Sequence, residues 1–379
     1  MSIVSNARAV SLAAVIAFSA VGAARGQFFP TGVAPGYGAS IVTGLSADGR
    51  VATGWSDQRR FGNPGFTWTA IGGRADFGLN AGMPAVTFTA GVSSDGGTIA
   101  GTTRLPSSIT NRAYIYSGGI VRNLGTIEGY AFSEASGISG DGTVVVGDAR
   151  DANFFGSEAF RWTDSGGMQG LGFTRPSHFY STSMGISRDG RSIVGYSYDG
   201  TTTDAFVWTQ DHGMQGLRGI DGLNAHAYGV NATGTVVVGE SYVDSHGGNR
   251  AVAWVNGSLV NLGPPPEAGP SFARAVSDDG SVIVGNCVLL SNDQNRAMIW
   301  TAAGGSVLLS DYVTGLGVSV PAGWQFFYAT SVSADGRTIG GFGGFDGDLH
   351  HQGFVVTIPS PPSVLVLYGA ILTARRRRV

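Results

Sequence analysis

One short stretch returns seven times along this chain, and it limits the fold more than any other feature. In its fullest form it reads Gly-Ile-Ser-Gly-Asp-Gly-Thr-Val-Val-Val-Gly, from Gly137 to Gly147. An Asp-Gly step between two short apolar runs predicts a tight hairpin, because glycine, and at lower cost aspartate, accepts the positive φ that such turns demand. The turn glycines are Gly49, Gly96, Gly142, Gly190, Gly234, Gly280 and Gly336. Each is followed five residues later by another: Gly54, Gly101, Gly147, Gly195, Gly239, Gly285 and Gly341. In one copy Thr233 replaces the acid and Asn231 replaces the serine before it.

Each repeat carries four strand-like segments. The first ends in a small residue, an aliphatic and a polar residue, as in Gly185-Ile186-Ser187; the second is an apolar run such as Val144-Val145-Val146. The third alternates, as in Phe160-Arg161-Trp162, and the fourth follows a glycine turn, as in Gly167 to Gly172. The aromatic of the third segment, Trp68, Tyr116, Trp162, Trp208, Trp254 and Trp300, recurs at intervals of 48, 46, 46, 46 and 46 residues. Four antiparallel strands in that length predict an all-β fold, a seven-bladed β-propeller occupying residues 27–358. A β-solenoid is the rival architecture, but its coils are usually shorter. An apolar second strand suits a sheet covered on both faces by its neighbours. The small residues Gly44, Gly91, Gly137, Gly185, Gly229, Ala275 and Ser331 suit a crowded axis. The last repeat stops after its third strand, Phe354 to Thr357, so Gln27 to Val33 is expected to supply the fourth and close the ring, removing two exposed edges.

Both ends read as addresses. Residues 1–26 have a short polar start with Arg8, an apolar run from Val10 to Val21, and small residues at Ala24 and Gly26, the pattern of a secretory signal cleaved before Gln27. At the other end, 359–379, Pro359-Ser360-Pro361-Pro362 precedes an apolar run from Val364 to Ala374 and four arginines, Arg375 to Arg378. Eleven apolar residues are too few to span a bilayer comfortably as a helix, which needs about 20. Arginines at its end would hold the run at the cytoplasmic face, as a removable sorting tail requires.

This tail resembles the PEP-CTERM-type sorting signal, with Ser360 where that motif has its middle acid. The resemblance implies processing by an exosortase-type enzyme, beside signal peptidase at the N-terminus, in a bacterium with a double envelope. The membrane would be met only transiently, through the C-terminal helix. The body, from about residue 38 to 357, resembles the HAF-type extracellular repeat, in Gly-Ile-Ser-x-Asp-Gly-x-x-x-Val-Gly, then Ala-Phe-x-Trp, then Gly-Met-x-x-Leu-Gly. Asn-Arg or Glu often stands before the alanine (Asn111-Arg112, Glu158, Asn249-Arg250, Asn295-Arg296), where that family commonly has His. That resemblance implies a secreted bacterial repeat protein without an assigned activity.

Composition excludes several chemistries. The chain has no lysine, so Schiff-base chemistry is out, and its one cysteine, Cys287, excludes a disulfide framework or cysteine metal site. Without its two ends it carries 17 arginines against 26 acids, a net −9, which argues against nucleic acid and anionic membranes as partners. No Gly-x-Ser-x-Gly elbow, His-Glu-x-x-His, P-loop or Cys-x-x-Cys occurs. In a four-stranded blade the Asp-Gly turns share one rim, and the variable loops share the other. Five histidines (His178, His226, His246, His350, His351) fall on the variable rim, beside Asp151, Asp204, Asp244, Asp346 and Asp348. Solvated loop residues explain them without a metal, and a turn-forming role explains each hairpin aspartate without Ca²⁺. An insertion, Leu308 to Gly317, reads as a short helix with Ser310 as N-cap and Gly317 as C-cap, placed to cover one mouth of the channel. No catalytic, cofactor or metal residue is assigned. The expected function is an exported, non-enzymatic binding or structural module for glycan, matrix or an envelope protein. The alternatives are a propeller lyase or hydrolase with a His/carboxylate site on the variable rim, and a matrix component that assembles into arrays.

Overall fold

The computed structural model describes residues 26–57, 63–77, 86–104, 110–243, 248–345 and 351–359. The apolar start, the tail from 360 onwards, His246, His350, Asp244, Asp346 and Asp348 lie outside the described residues. The chain is all-β, with antiparallel hairpins following one another in sequence order. Among the described residues the strands form five sheets of four and one of eight. The third and fourth repeats share the larger sheet through a single parallel contact, Ser157 with Tyr180. The last sheet takes three strands from the end of the chain, and its fourth is Gln27–Gly32, antiparallel to Gln352–Thr357.

The hairpin turns explain the repeat motif. In the first copy Gly49, at φ +68°, donates its N–H to Ser46 O at 3.0 Å. The Ser46 hydroxyl donates to Asp48 Oδ1 (2.7 Å) and accepts the N–H of Val51 (2.9 Å), while Asp48 Oδ1 also accepts from Arg50 N (3.0 Å). The same set forms around Asp95, Asp141, Asp189, Asp279 and Asp335. Each aspartate is thus occupied as an Asx-turn acceptor, and the turn accounts for it without a cation. Where the acid is missing, Asn231 Oδ1 accepts the Val236 N–H at 2.9 Å, and its Nδ2 reaches Asp278 O in the next repeat at 3.1 Å. Neighbouring turns are joined by further backbone bonds. Ala47 N donates to Ser94 O, Ser94 N to Gly140 O, Gly140 N to Arg188 O, Asp189 N to Ala232 O, and Asp278 N to Ala334 O. Ala334 N then donates back to Ala47 O at 2.9 Å.

The second glycine has a different cause. Every first strand shifts register by one residue opposite it: Val42 pairs with Gly54 but Gly44 with Thr53, and Ala135 pairs with Gly147 but Gly137 with Val146. Such a bulge bends a strand and raises its twist. A Cβ on Gly54 or Gly147 would fall on the carbonyl of Ile41 or Glu134, and within 2.8 Å of the ring of Phe66 or Phe160 in the third strand. The same carbonyl contact recurs at Gly101, Gly195, Gly239, Gly285 and Gly341. Only a residue without a side chain lets the bulge and the ring occupy one place.

A buried serine in the first strand clips each of several repeats to the one before it. Ser133 Oγ accepts the N–H of Ala113 (3.0 Å) and donates to Gly125 O (2.6 Å); Ser181 does so with Ala159 and Gly172. Ser40 makes the same pair of bonds to Gly353 N and Gly32 O, so the first repeat is clipped to the last sheet. Between sheets lie the third-strand side chains Phe66, Tyr114, Phe160, Phe206, Val252, Met298 and Phe354, all fully buried. Phe28 joins this packing at the last sheet, against Trp324 (5.1 Å), Phe326 (5.7 Å) and Phe354 (6.4 Å).

Two expectations need correction. The insertion helix runs Leu309–Gly315 with Leu308 as N-cap and Leu316 as C-cap. The Ser310 hydroxyl turns to Asp311 instead of capping, because the preceding strand runs straight into the first turn. Nor does the helix cover the channel. Leu309 and Val313 are buried with Val282, Ile299, Trp324 and Ile339, and none of its residues lines the axial cavity. The second strands run on past the second glycine to Asp57, Arg150, Tyr198, Val243 and Phe345. Replacing Gly147 by alanine should lower stability by about 1–3 kcal/mol, the usual cost of overpacking. An unchanged denaturant midpoint in Gly147→Ala would contradict the steric account.

Candidate functional site

The first strands converge on an axial cavity of about 180 Å³. Its wall includes Gly44, Gly91, Gly137, Gly185, Ala275 and Ser331, the small residues expected there, with Val230 in the fifth repeat. The fit is close: a Cβ on Gly44 would lie 3.0 Å from Gly91 Cα, and one on Gly229 would lie 3.2 Å from Ala275 Cα. At the turn-side end Arg188 reaches across repeats, with Nε 2.8 Å from Asp278 Oδ1 and Nη1 3.3 Å from Ser94 Oγ.

The loop-side end is built differently. Directly after each second glycine stands a residue that does not repeat: Trp55, Thr102, Asp148, Tyr196, Glu240, Asn286 and Phe342. Each pairs with a first-strand residue, respectively Ile41, Phe88, Glu134, Thr182, His226, Phe272 and Tyr328. Because these positions also face the neighbouring repeat, their side chains meet across sheets. Trp55 packs edge-on to Phe88 at 5.0 Å and Tyr196 edge-on to His226 at 4.4 Å, while within the last sheet Phe342 stacks on its strand partner Tyr328 at 4.7 Å.

The fourth to sixth repeats carry the densest cluster. Glu240, only 5% exposed, accepts His226 Nδ1 (2.8 Å) and the Tyr228 hydroxyl (2.5 Å) on Oε1, and Asn249 Nδ2 (2.6 Å) on Oε2. Burial pushes its carboxyl up, but the bonds from His226 and Tyr228 outweigh burial and hold it below the ordinary range. An ionised carboxylate only accepts, so Nδ1 of His226 carries the proton of this bond. The His226 side chain is 31% exposed. Arg274 lies over the ring of Tyr228 (4.3 Å) and beside Phe272 (5.1 Å), with Nε 3.2 Å from Asn286 Oδ1. Tyr180, Tyr196, His226, Tyr228, Arg274 and Phe272 thus form one unbroken row, each touching the next.

A second carboxylate occupies the equivalent position two repeats earlier. Asp148 accepts from Arg150 Nε (2.7 Å), Ser157 Oγ (3.1 Å) and Thr182 Oγ1 (2.9 Å). Burial dominates here and raises its pKa despite Arg150. Arg150 also meets Glu134 at 3.2 Å, so this group is an internally paired network.

The histidines expected on the variable rim do not form one constellation. His178 is buried and tied by Nδ1 to Ser197 (2.8 Å) and Thr174 (3.1 Å), which pins its loop. His351 packs against Phe327 (5.2 Å) and Phe342 (5.8 Å). Asp204 is held by Arg175, and Asp151 caps the N–H groups of Asn153, Phe155 and Gly156 in its own loop. Among the described residues no three His, Cys, Asp or Glu gather as metal ligands. Among the described histidines His226 alone pairs with a carboxylate at hydrogen-bond distance, and its partner Glu240 was not among the candidates read from the sequence. The signal was present: aligned on the second glycine, the next residue is the one that changes character in every copy.

No family model and no curated sequence matches the chain. Solved structures do match. The β-propeller domain of the Trilobed protease from Pyrococcus furiosus is 9% identical, with 85% of this chain and 93% of that one covered at a TM-score of 0.55. An oligogalacturonate lyase from Vibrio parahaemolyticus is 10% identical, over 85% and 90% of the two chains, at 0.55. A prolyl endopeptidase is 11% identical at 0.55; 86% of this chain matches, spanning about half (51%) of that one. At such identities the likeness carries the fold alone: the chain is a β-propeller.

Proposed function

We propose that this protein is an exported, seven-bladed propeller, closed by its N-terminal strand, that binds a glycan at the loop-side mouth of its channel. Closure is supported by three features of the first-to-last contact: the antiparallel pairing of Gln27–Gly32, the Ser40 clip, and the Ala334-to-Ala47 bond. Deleting residues 27–32 should unpair the last sheet and uncover Phe28 and Phe29. At roughly 1.5–3 kcal/mol per buried aromatic and about 1.5 °C per kcal/mol for a body of about 330 residues, the melting temperature should fall by about 4–9 °C. An unchanged melt would argue against closure by this strand.

The glycan reading rests on one observation, the aromatic row that ends in Arg274, set among hydrogen-bonding side chains at the variable mouth. Pyranose rings present apolar faces to aromatic side chains and hydroxyls to planar polar groups, and this wall offers both. Tyr196→Ala and Trp55→Ala should each weaken binding of a cognate oligosaccharide found by array screening, by about tenfold, measured by calorimetry. Full affinity in both variants would remove the site from this mouth. The His226–Glu240 pair favours a second reading, acid–base catalysis on the same ligand, with Nε2 of His226 as proton acceptor. In the same experiment, product formation by the parent and its loss in His226→Gln would select that reading.

Export follows from the two terminal segments and would make signal peptidase and an exosortase-type enzyme the processing partners. The intact mass of protein recovered from its native envelope and medium should match Gln27 to about Pro361. A mass retaining Arg375 to Arg378 would mean that the tail stays in place and would move the protein to the membrane.

A further inference from the structure

We infer that Arg274 makes the mouth a subsite for the carboxylate of an acidic sugar, so that the ligand is a uronate-bearing glycan. The inference rests on the glycan reading above and narrows it. Two other half-buried arginines on first or second strands or their turns meet an acid: Arg150 meets Asp148 at 2.7 Å, and Arg188 meets Asp278 at 2.8 Å. Arg274 has no carboxylate within ion-pair distance among the described residues. It is nevertheless held in place, by the ring of Tyr228 at 4.3 Å, the ring of Phe272 at 5.1 Å, and the Asn286 amide oxygen at its Nε.

The surroundings make that state costly unless an anion arrives. Placing a cation among rings removes water from it, and an unpaired charge in such a setting is unfavourable. Glu240 is the nearest acid on the same row, through Tyr228, but both its oxygens are already engaged by His226, Tyr228 and Asn249, and it is almost fully buried. Glu240 therefore orders the wall without neutralising Arg274. A guanidinium fixed through Nε and stacked on a ring keeps its planar fork oriented, the geometry that takes a carboxylate through two parallel N–H bonds. Beside it in the row, His226 and Tyr196 offer a hydrogen-bonding edge and a stacking face for the sugar ring that carries the carboxylate. The chain as a whole is acidic, so general attraction for polyanions is absent and recognition has to be local.

The test uses the full chain, with calorimetry on a glucuronate-containing oligosaccharide and on its carboxyl-reduced counterpart, in which each uronate has become a neutral glucose. The expected result is binding of the uronate form about tenfold to a hundredfold tighter than the reduced form, the range for a charge-assisted hydrogen bond. Arg274→Gln should abolish that preference, so that the two forms bind equally, and Arg274→Lys should recover only part of it. Should Arg274→Gln not fold, the parent decides: its preference for the uronate form should shrink as salt is raised from 50 to 500 mM, which a preference based on shape would not do. Equal binding of both forms overturns the acidic subsite and leaves the glycan reading standing. Binding of neither overturns both. A uronate preference that survives in Arg274→Gln overturns the assignment to Arg274.

Discussion

The structure depends on a steric coincidence repeated in every copy of the motif. A bulge carbonyl in the first strand and, in most copies, a ring from the third converge on the position of the missing Cβ of the second glycine. A bulge at the same place in each of the seven first strands bends it, and the small residues Gly44, Gly91, Gly137, Gly185, Gly229, Ala275 and Ser331 then allow neighbouring strands to approach at the axis. Without the bulge, the residue after each second glycine would not face the adjoining repeat.

The two ends of the channel divide the work. On the turn side the polar groups of the motif are used locally. Serine, aspartate and backbone N–H satisfy one another within six residues, and turn-to-turn bonds tie the repeats together. Arg188 adds a long-range bridge to Asp278 and Ser94. Little is left there to recognise anything. On the loop side Tyr196 meets His226, Arg274 meets Tyr228 and Asp148 meets Thr182 across adjoining repeats, while Glu240 holds His226 within one repeat, so these side chains are ordered largely by tertiary packing. The rigid turn rim and the variable loop rim thus correspond to scaffold and site.

Much of this architecture can be read directly along the chain. The Asp-Gly turns, the four-strand period and the third-strand aromatics are local or regularly spaced, and the physics that uses them acts over a few residues or between identical copies. The pairing of Gln27 to Gly32 with the last sheet is also legible, because an incomplete repeat at one end and a surplus strand at the other leave two edges that need a partner. The helix N-cap at Leu308 is not, since it depends on how the Gly305–Leu308 strand enters the turn.

The site belongs to the other class. Histidines on the variable rim can be counted from the sequence, but His178 becomes a loop anchor and His226 becomes the partner of a buried acid, and composition cannot tell these fates apart. Glu240 and Arg274 are separated along the chain by two whole strands and their connections, and they share a wall only because neighbouring sheets are turned face to face. By itself the sequence determined the repeat, its turns and its small axial residues, since each is written in residues that act where they stand. Which side chains meet at the mouth was decided only by tertiary structure, because those contacts run between repeats and are set by the bulge and the packing angle of one sheet against the next.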